Sequence, residues 1–252
     1  MLPEREKIKR TTSNKSSFLF SPRAHHRSLE DGVTMAMPPH QRPIVLFGSG
    51  GHAREVADIV LHSKQVSGTP EFYGFLDEDK KKHNLEIDGY PVLGSLDWLA
   101  SRPSEFSLIV AIGNIPIRRR ICEEAKVLGI SFAQAISPLA DFCGPSTLGP
   151  GCMIFPRAVV SRNVSLGKHV VLGVHSSVSH DSTVGDYSFL CPGSRLTGEV
   201  TLGSEVMLGT NASIIPGKSV GNQSIIGAGA TVVSDLPSGV TALGVPARIV
   251  NK

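Results

Sequence analysis

Residues 164–190 read "VSLGKHVVLGVHSSVSHDSTVGDYSFL", and every sixth residue counted from Leu166 to Leu190 is aliphatic. The period extends in both directions, from Ile136 through Phe142 to Val232, and all 17 positions on it are apolar. Only 40% of the chain is hydrophobic, so chance would produce such a run with a probability on the order of 10⁻⁶. The period of six therefore reflects a structural repeat.

A second series lies four residues after the first along the chain, and it consists of small or aliphatic residues with Lys218 as its one exception. A period of six matches neither the 3.6 residues of a helical turn nor the two-residue alternation of an isolated strand. Short strands separated by tight corners, wound into a parallel β-helix with both series pointing inward, do match it. A β-sandwich would space its strands by 8–12 residues with irregular gaps. At Lys218 we expect a local bulge or a side chain turned to solvent.

The repeat also predicts features of the corners. Because the period does not skip between residues 136 and 232, no long loop should leave the prism. We expect a left-handed backbone, which glycine adopts without steric cost, at the eight glycines that directly follow the first apolar series. These are Gly149, Gly167, Gly173, Gly185, Gly203, Gly209, Gly221 and Gly227.

Charge and cysteine content restrict the class of protein. The net charge is +3, but residues 1–42 hold eight Lys or Arg against four Asp or Glu, which leaves −1 for residues 43–252. The folded part thus has no basic excess of the kind that nucleic-acid binding needs. The four cysteines form no CxxC pair, so we expect a reduced, cytoplasmic protein. No apolar run approaches the ~18 residues of a membrane span.

The first 42 residues are rich in Ser, Pro and charged residues and show no periodicity, which predicts a disordered extension. Met35 or Met37 could instead be the start of translation, or the segment could be a targeting peptide. Its four acidic residues argue against targeting, and "SFLF" at residues 17–20 is too short for the core of a secretory signal.

Residues 43–53, "PIVLFGSGGHA", predict a buried strand that runs through a glycine turn into a helix. Gly48, Gly50 and Ala53 match the pattern G-x-G-x-x-A, in which backbone N–H groups and the helix N-terminus face a phosphate. Alone the motif is weak, because any tight strand–helix turn needs glycine. The strand before it and the helix after it favour phosphate binding.

Two further strands end in residues suited to a nucleotide. The strand within residues 71–79 ends at Asp77 and Glu78, where a ribose or base would be met, although both could be ordinary solvated acids. The strand within residues 106–114 ends at Gly113. Residues 43–134 hold one βαβ-type half where a dinucleotide fold uses two, so a mononucleotide or nucleotide-sugar fits better than NAD.

Two parts of the chain resemble a known family. The hexads and the ending "IIGAGATVVSDLPSGVTALGVPARIV" (225–250) resemble hexapeptide-repeat acyltransferases, and with the glycine-turn domain in front the chain resembles sugar acetyltransferases of the NeuD/PglD type. The resemblance implies a Rossmann-like α/β domain over 43–134 and a left-handed parallel β-helix over 135–252. It also implies acetyl-CoA as acyl donor and a homotrimer with clefts between neighbouring prisms. The acceptor would be a sialic acid or a UDP-linked amino sugar of bacterial glycan biosynthesis.

The resemblance assigns catalysis to "VSHDSTVG", with His180 as general base and Asp181 beside it. An imidazole with a pKa near 6.5 is suited to take a proton from an attacking amine or hydroxyl at neutral pH. A neighbouring acid can fix the ring tautomer and stabilise the imidazolium. Direct transfer from the thioester then needs no acyl-enzyme. The backbone N–H of Gly198 would stabilise the oxyanion.

Binding residues follow from the same resemblance. Contacts to acetyl-CoA would come from Thr210, Ala228 and position 189, where Phe189 replaces a histidine of some relatives. The acceptor would contact residues of the glycine turn and of the two strand ends, namely Gly51, His52, Ala53, Asp77, Glu78 and Gly113.

Several alternatives stay open. His180 falls at a corner, because Val178 and Ser182 on either side of it belong to the two inward series. His169 and His175 also fall at corners, although neither precedes an acid, and a metal site made by His175 and His180 would lack a third ligand at recognisable spacing. We therefore expect no metal. The chain could instead be a non-catalytic sugar-nucleotide-binding protein or a same-fold acyltransferase acting on an amino acid. The sequence does not choose between N- and O-acetylation or define the acyl length.

Overall fold

A computed structural model describes residues 41–68 and 70–250 of the chain. The predicted disordered extension, with the alternative start sites Met35 and Met37, lies outside the described residues except for its last two positions. The described part begins with a six-stranded α/β sheet, the front domain, and continues as three stacked ladders of short strands.

The front domain consists of a sheet with the strand order β3-β4-β2-β1-β5-β6. Its strands are β1 Ile44–Phe47, β2 Phe72–Leu76, β3 Glu86–Ile87, β4 Tyr90–Gly94, β5 Ser107–Val110 and β6 Ser131–Phe132. Its helices are α1 Gly51–Ser67, α2 Leu96–Ala100 and α3 Ile115–Val127, with a 3₁₀ turn at Lys80–Lys82. β1 lies between β2 and β5, parallel to both, so the strand order reverses at β1. A crevice at the carboxyl end of such a strand is the usual ligand site of open α/β sheets.

β1 and α1 follow directly from the sequence. Four consecutive buried aliphatic or aromatic residues form the central strand, as expected for a parallel strand covered on both faces. Helix α1 buries Ala53, Val56 and Val60 at helical spacing. It ends at Gly68, whose φ of 67° is the left-handed C-cap that glycine adopts without steric cost.

Within residues 135–250, nineteen strands form the three faces of a left-handed parallel β-helix. The docked face contains β7 Ala135–Ile136, β10 Met153–Ile154, β13 Val171–Leu172, β16 Phe189–Leu190, β19 Met207–Leu208, β22 Ile225–Ile226, β24 Thr241–Leu243 and β25 Arg248–Val250. The second face contains β8 Asp141–Phe142, β11 Val159–Val160, β14 Ser177–Val178, β17 Arg195–Leu196, β20 Ser213–Ile214 and β23 Thr231–Val232. The third face contains β9 Ser146–Leu148, β12 Val164–Leu166, β15 Thr183–Val184, β18 Thr201–Leu202 and β21 Ser219–Val220.

Three hexads make one coil of the β-helix. Val160 pairs with Val178, and Leu172 with Leu190, so each residue stacks on the one 18 positions later. This register continues without a break to the pairing of Ile214 with Val232, as the uninterrupted period predicted. The last coil is shorter, because Ile225 pairs with Thr241.

The interior of the prism is filled by the two periodic series, as predicted. Phe142 keeps the inward register, because it pairs with the fully buried Val160, but it is 38% exposed. Its strand β8 is the last of the second face and has no further coil above it. Of the two outcomes expected at Lys218, the bulge does not form, because β18 and β21 keep their register, and the lysine side chain is half-buried.

The left-handed backbone predicted for the eight glycines after the first apolar series is not observed. None of the eight glycines that follow the apolar series has a positive φ. Instead a Cβ at Gly149 would lie 2.6 Å from the carbonyl carbon of Gly167, and one at Gly209 would lie 2.6 Å from the nitrogen of Ala228. These glycines permit the close approach of successive coils. The left-handed positions come two residues later and are filled mostly by other residues, such as His175 at φ 58°.

The front domain packs onto the docked face. Val56 and Ala53 of α1 share a buried cluster with Met153, Phe155 and Val171. On the other side of the sheet, α3 buries its apolar residues together with Tyr187. In a prism with three faces, the corner shared by the second and third faces lies opposite the docked face. We call it the far corner.

Candidate functional site

His180 and Asp181 form the far corner of their coil, between β14 and β15. Their side chains are 60% and 50% exposed. His180 Nδ1 lies 2.9 Å from Asp181 Oδ2. The carboxylate is an acceptor, so this contact favours the tautomer in which Nδ1 carries the proton and Nε2 keeps a free lone pair. Nε2 is the atom that could accept a proton from a substrate.

Gly198 stacks beneath this imidazole, one coil further along the chain. A Cβ at position 198 would lie 2.5 Å from His180 Cε1 and 2.6 Å from Nε2, so only glycine leaves room for the ring. The Glu199 N–H donates to the His180 carbonyl over 2.9 Å and holds the two coils together. The predicted oxyanion donor therefore lies next to the predicted base.

Asn163 is a site residue that the sequence analysis missed. Its Nδ2 donates to Asp181 Oδ1 over 3.0 Å. The hydrogen bond from Asn163, and then the contact with His180, hold the pKa of Asp181 below its ordinary value. The signal was present in the sequence, because Asn163 precedes Asp181 by 18 residues, one coil of the β-helix.

The rival histidines occupy different environments. His175 is exposed at the corner between the docked and second faces, away from His180. His169 is at a corner, but it is buried, stacked on Tyr187 and 3.4 Å from Cys122 Sγ. Burial, with Arg118 and Lys168 nearby, lowers its pKa to about 4. His169 is thus a neutral core residue beneath α3.

The glycine turn leaves open space at the start of α1. Gly50 is the N-cap and Gly51 the first helical residue, and a Cβ on either would meet no atom within 4 Å. Neither has a positive φ, so backbone strain does not require glycine there. Gly48 differs, because its φ is 108° and a Cβ would lie 2.8 Å from Ile112 Cδ1. The open room at Gly50 and Gly51 suits a ligand that approaches the backbone closely.

Asp77 lies beside this turn and is fully engaged. It accepts from the Ser49 hydroxyl, from Lys82 Nζ over 2.9 Å and from the Asp79 N–H over 2.9 Å. Burial opposes ionisation of Asp77, but these hydrogen bonds hold its pKa below the ordinary value. Lys82 also reaches Ser49 Oγ over 3.2 Å. Oδ2 is thus held by both Ser49 and Lys82, whereas Oδ1 accepts from the Asp79 N–H alone.

Glu78 and Gly113 lie at the ends of β2 and β5, on either side of β1. Glu78 is exposed and pairs with Arg120 of α3 over 2.9 Å. The Cβ of an alanine at 113 would come within 3.8 Å of the Phe189 ring. Phe189, predicted to contact acetyl-CoA, therefore lies on the docked face against the front domain.

His52 and Ala53 pack where the front domain meets the β-helix. Ala53 is buried under the sheet. The His52 ring stacks on Phe155 with centroids 5.5 Å apart and lies 5.7 Å from Phe189. Burial, with Arg118 nearby, lowers the pKa of His52 to about 4. Among the described residues its Nε2 has no hydrogen-bond partner.

Arg118 connects the two parts of the chain and was not predicted. It is fully buried on α3 and donates to the carbonyls of Ile112 over 2.8 Å and Gly113 over 3.3 Å. On the β-helix it donates to the Tyr187 carbonyl over 2.6 Å. Burial lowers its pKa to about 10. Arg118 therefore fixes the Gly113 turn against the docked face.

One chain does not bring all predicted site residues together. Gly198 lies with His180 at the far corner. Thr210 and Ala228 are exposed at the corner between the docked and second faces. The acceptor residues line the front domain, on the side of the prism opposite His180. The predicted base, the predicted donor contacts and the predicted acceptor crevice thus occupy three places on the same chain.

Over residues 41–68 and 70–250, no group of three or more His, Cys, Asp or Glu side chains has the arrangement of a metal site. In the same described ranges, no helix has the length and apolarity needed to cross a membrane.

Comparisons with known proteins give a consistent result. Residues 43–125 match the family model of the PglD N-terminal domain. Over 143 residues the chain is 29% identical to GDP-perosamine N-acetyltransferase of Escherichia coli O157:H7. The matched region covers 56% of this chain and 64% of that enzyme. The match thus spans a little under two thirds of the curated relative.

Solved structures extend the similarity to both domains. The acetyltransferase domain of PglB from Neisseria gonorrhoeae FA1090, in complex with acetyl coenzyme A, is 31% identical, with a TM-score of 0.76 over 83% of this chain and 100% of that one. PerB from Caulobacter crescentus, in complex with CoA and GDP-perosamine, is 32% identical, with a TM-score of 0.75 over 83% of this chain and 97% of that one. This chain belongs to the family of NeuD/PglD-type sugar acetyltransferases.

Proposed function

We propose that this protein transfers the acetyl group of acetyl-CoA to the amine of a nucleoside-diphosphate-linked amino sugar. The observation that carries the proposal is the His180–Asp181 pair, whose hydrogen bond leaves Nε2 free next to Gly198. Similarity to PerB and to the Escherichia coli enzyme, both named for perosamine linked to GDP, supports an amine acceptor carried on a nucleotide.

Each residue of the far corner has one task in this reaction. His180 Nε2 takes the proton of the acceptor amine as the nitrogen attacks the thioester carbon. Asp181 holds the protonated ring and stabilises its charge. The Gly198 N–H donates to the oxygen that becomes negative in the tetrahedral intermediate. The tetrahedral intermediate then collapses and expels the coenzyme A thiolate, which takes the proton back from the His180 imidazolium, and no acyl-enzyme forms.

The front domain holds the nucleotide part of the acceptor. The open backbone at Gly50 and Gly51 receives the diphosphate at the N-terminus of α1. Glu78 and the Gly113 turn lie where the nucleoside would extend across the crevice. Asp77 shapes the site through Ser49 and Lys82 and does not itself meet the ligand in this arrangement.

We propose a homotrimer whose active site lies between two copies of the chain. His180 is on the side of the prism opposite the front domain, so the acceptor crevice and the base cannot meet within one chain. Neighbouring copies would bring both a front domain and the donor contacts Thr210 and Ala228 to the far corner. Two inactive variants, Gly51→Val and His180→Ala, should therefore regain activity when mixed trimers are formed by co-expression. A mixture as inactive as its parents would contradict a shared site.

The substrate assignment is tested by measuring thiol release from acetyl-CoA with a panel of acceptors. We expect turnover with a GDP- or UDP-linked amino sugar and little with the free amino sugar. Turnover with a sialic acid would indicate O-acetylation, and turnover with amino acids alone would overturn the acceptor class. Binding of nucleotide-sugars without any thiol release would favour the non-catalytic alternative.

A further inference from the structure

We infer that Asn163 is a positioning residue for the proposed base, acting through the Asp181 carboxylate. The inference rests on the proposed role of His180. Asn163 Nδ2 donates to Asp181 Oδ1 over 3.0 Å, while Asp181 Oδ2 lies 2.9 Å from His180 Nδ1. The three side chains thus form one relay across two coils, in which each oxygen of the carboxylate has a separate partner.

The backbone of the β-helix sets this contact. Asn163 and Asp181 are each the second residue of the far corner in successive coils, with φ values of 58° and 59°. The Asp181 N–H donates to the Arg162 carbonyl over 3.1 Å, and the Asn163 N–H to the Pro145 carbonyl over 2.7 Å. Because both corners are held by ladder hydrogen bonds, the amide meets the carboxylate without movement of the main chain.

The His180–Asp181 pair needs such support because it is exposed. An ion pair in solvent holds its geometry weakly, and both side chains are at least half accessible. An aspartate that rotates freely would present either oxygen, or neither, to the imidazole. Asn163 fixes Oδ1 and so directs Oδ2 at Nδ1, which keeps the ring in the tautomer and orientation that leave Nε2 toward the substrate.

The neutral amide suits this task better than a charged group. Its N–H orients the carboxylate without cancelling the negative charge that stabilises an imidazolium. A lysine or arginine at 163 would pair with Asp181 and weaken that stabilisation, and an aspartate would repel it. The other charged residues of this corner are Arg162 and Glu199 on the neighbouring coils and, further along, Lys218 and Asp235, and they are unchanged in the variants below.

Two substitutions with opposite electrostatic effects test the proposal. Asn163→Gly removes the amide and keeps a residue that accepts a positive φ, and Asn163→Asp keeps the left-handed preference but adds a second carboxylate. Both should lower kcat by about tenfold to a hundredfold, the effect of a misplaced catalytic group, with the KM for acetyl-CoA and for the acceptor within about twofold. In the pH profile of kcat/KM, the acid limb should move to lower pH for Asn163→Gly and to higher pH for Asn163→Asp.

Gln223→Gly is the matched control. Gln223 has the same left-handed backbone, with φ 58°, at a different corner of the prism, and the substitution should leave kcat and the pH profile unchanged. The proposal is overturned if Asn163→Gly retains both the wild-type kcat and the wild-type acid limb while His180→Ala is inactive. If His180→Ala is itself fully active, the assignment of the base fails first, so the two failures are distinguishable.

Discussion

The imidazole of His180 lies over the α-carbon of Gly198, close enough that a Cβ there would be 2.6 Å from Nε2. The two residues occupy equivalent positions in successive coils, since each is the first residue of the far corner. The glycine therefore leaves room for the histidine ring, and in the proposed reaction its backbone N–H lies beside the reacting atoms.

Gly198→Ala should displace the imidazole without disturbing the fold, because position 198 has no positive φ. We expect kcat to fall about tenfold to a hundredfold, with a thermal midpoint close to that of the wild type. Steady-state thiol-release kinetics measure the effect. In a double variant with His180→Ala, the alanine at 198 should cost nothing further, since its target has gone. Full activity of Gly198→Ala alone would show that the ring can work elsewhere.

Gly51→Ala should separate nucleotide binding from stability. The free protein has room for the methyl group, and alanine is favoured over glycine in a helix, so the free energy of unfolding should stay constant or rise by up to about 1 kcal/mol. The methyl group would occupy the space proposed for the diphosphate, so the Kd for GDP should rise at least about tenfold in calorimetric titration. Ser67→Ala, at the other end of α1, should bind as the wild type does. Unchanged affinity in Gly51→Ala would exclude close backbone approach there.

Stability should fall as the pH is lowered from 6.5 towards 4. Burial lowers the pKa of both His52 and His169 to about 4, so the unfolded chain, with values near 6.5, binds protons first. The stability is fully present above pH 6.5, and up to about 3 kcal/mol per histidine is lost on the way to pH 4. Urea unfolding between pH 7.5 and 4.5 measures this loss. His169→Asn, which tolerates the φ of 55°, should make the pH dependence shallower, and an unchanged slope would contradict a buried neutral His169.

Arg118→Ala should destabilise the protein strongly. Its guanidinium is buried and serves three carbonyl groups, from Ile112, Gly113 and Tyr187, which would lose their donor. Lost hydrogen bonds and packing together should cost about 3 kcal/mol in the free energy of unfolding. Arg119→Ala is the neighbouring control. Arg119 is half-exposed and pairs with Glu205, so its loss should cost at most about 1 kcal/mol. Equal effects of the two substitutions would mean that Arg118 does not hold the two parts together.

The repeat predicted most of the β-helix because its physical cause is local. An apolar side chain every six residues can only face the same interior, so the position of His180 at a corner followed from Val178 and Ser182 pointing inward. The period did not specify which atoms approach each other across coils. The glycines after the apolar series were therefore assigned to a left-handed backbone, although they permit the close approach of coils. Asn163 was missed because its partner lies 18 residues away.

The contacts between the front domain and the β-helix could not be predicted from the sequence pattern. His169 and His175 have the same place in the repeat, yet α3 covers one and leaves the other exposed. His52 follows the glycine turn, as a ligand-binding residue would, but its ring packs on Phe155 of the β-helix. Such docking depends on long-range packing of α1 and α3, which neither periodicity nor a short motif records. The strands β3, β4 and β6 were likewise not predicted. β3 and β6 have two residues each and lie at the two edges of the sheet.

His180 is proposed as the base of an acetyl-CoA-dependent transfer, and the most direct test of this role compares His180→Ala with His175→Ala in the thiol-release assay. His180→Ala should lose roughly 10²–10⁴ in turnover, the usual effect of removing a positioned general base. Its affinity for acetyl-CoA and its stability should hold, because the side chain is exposed and acts on the acceptor proton. His175→Ala should lose much less. An inactive His175→Ala beside a fully active His180→Ala would contradict the account.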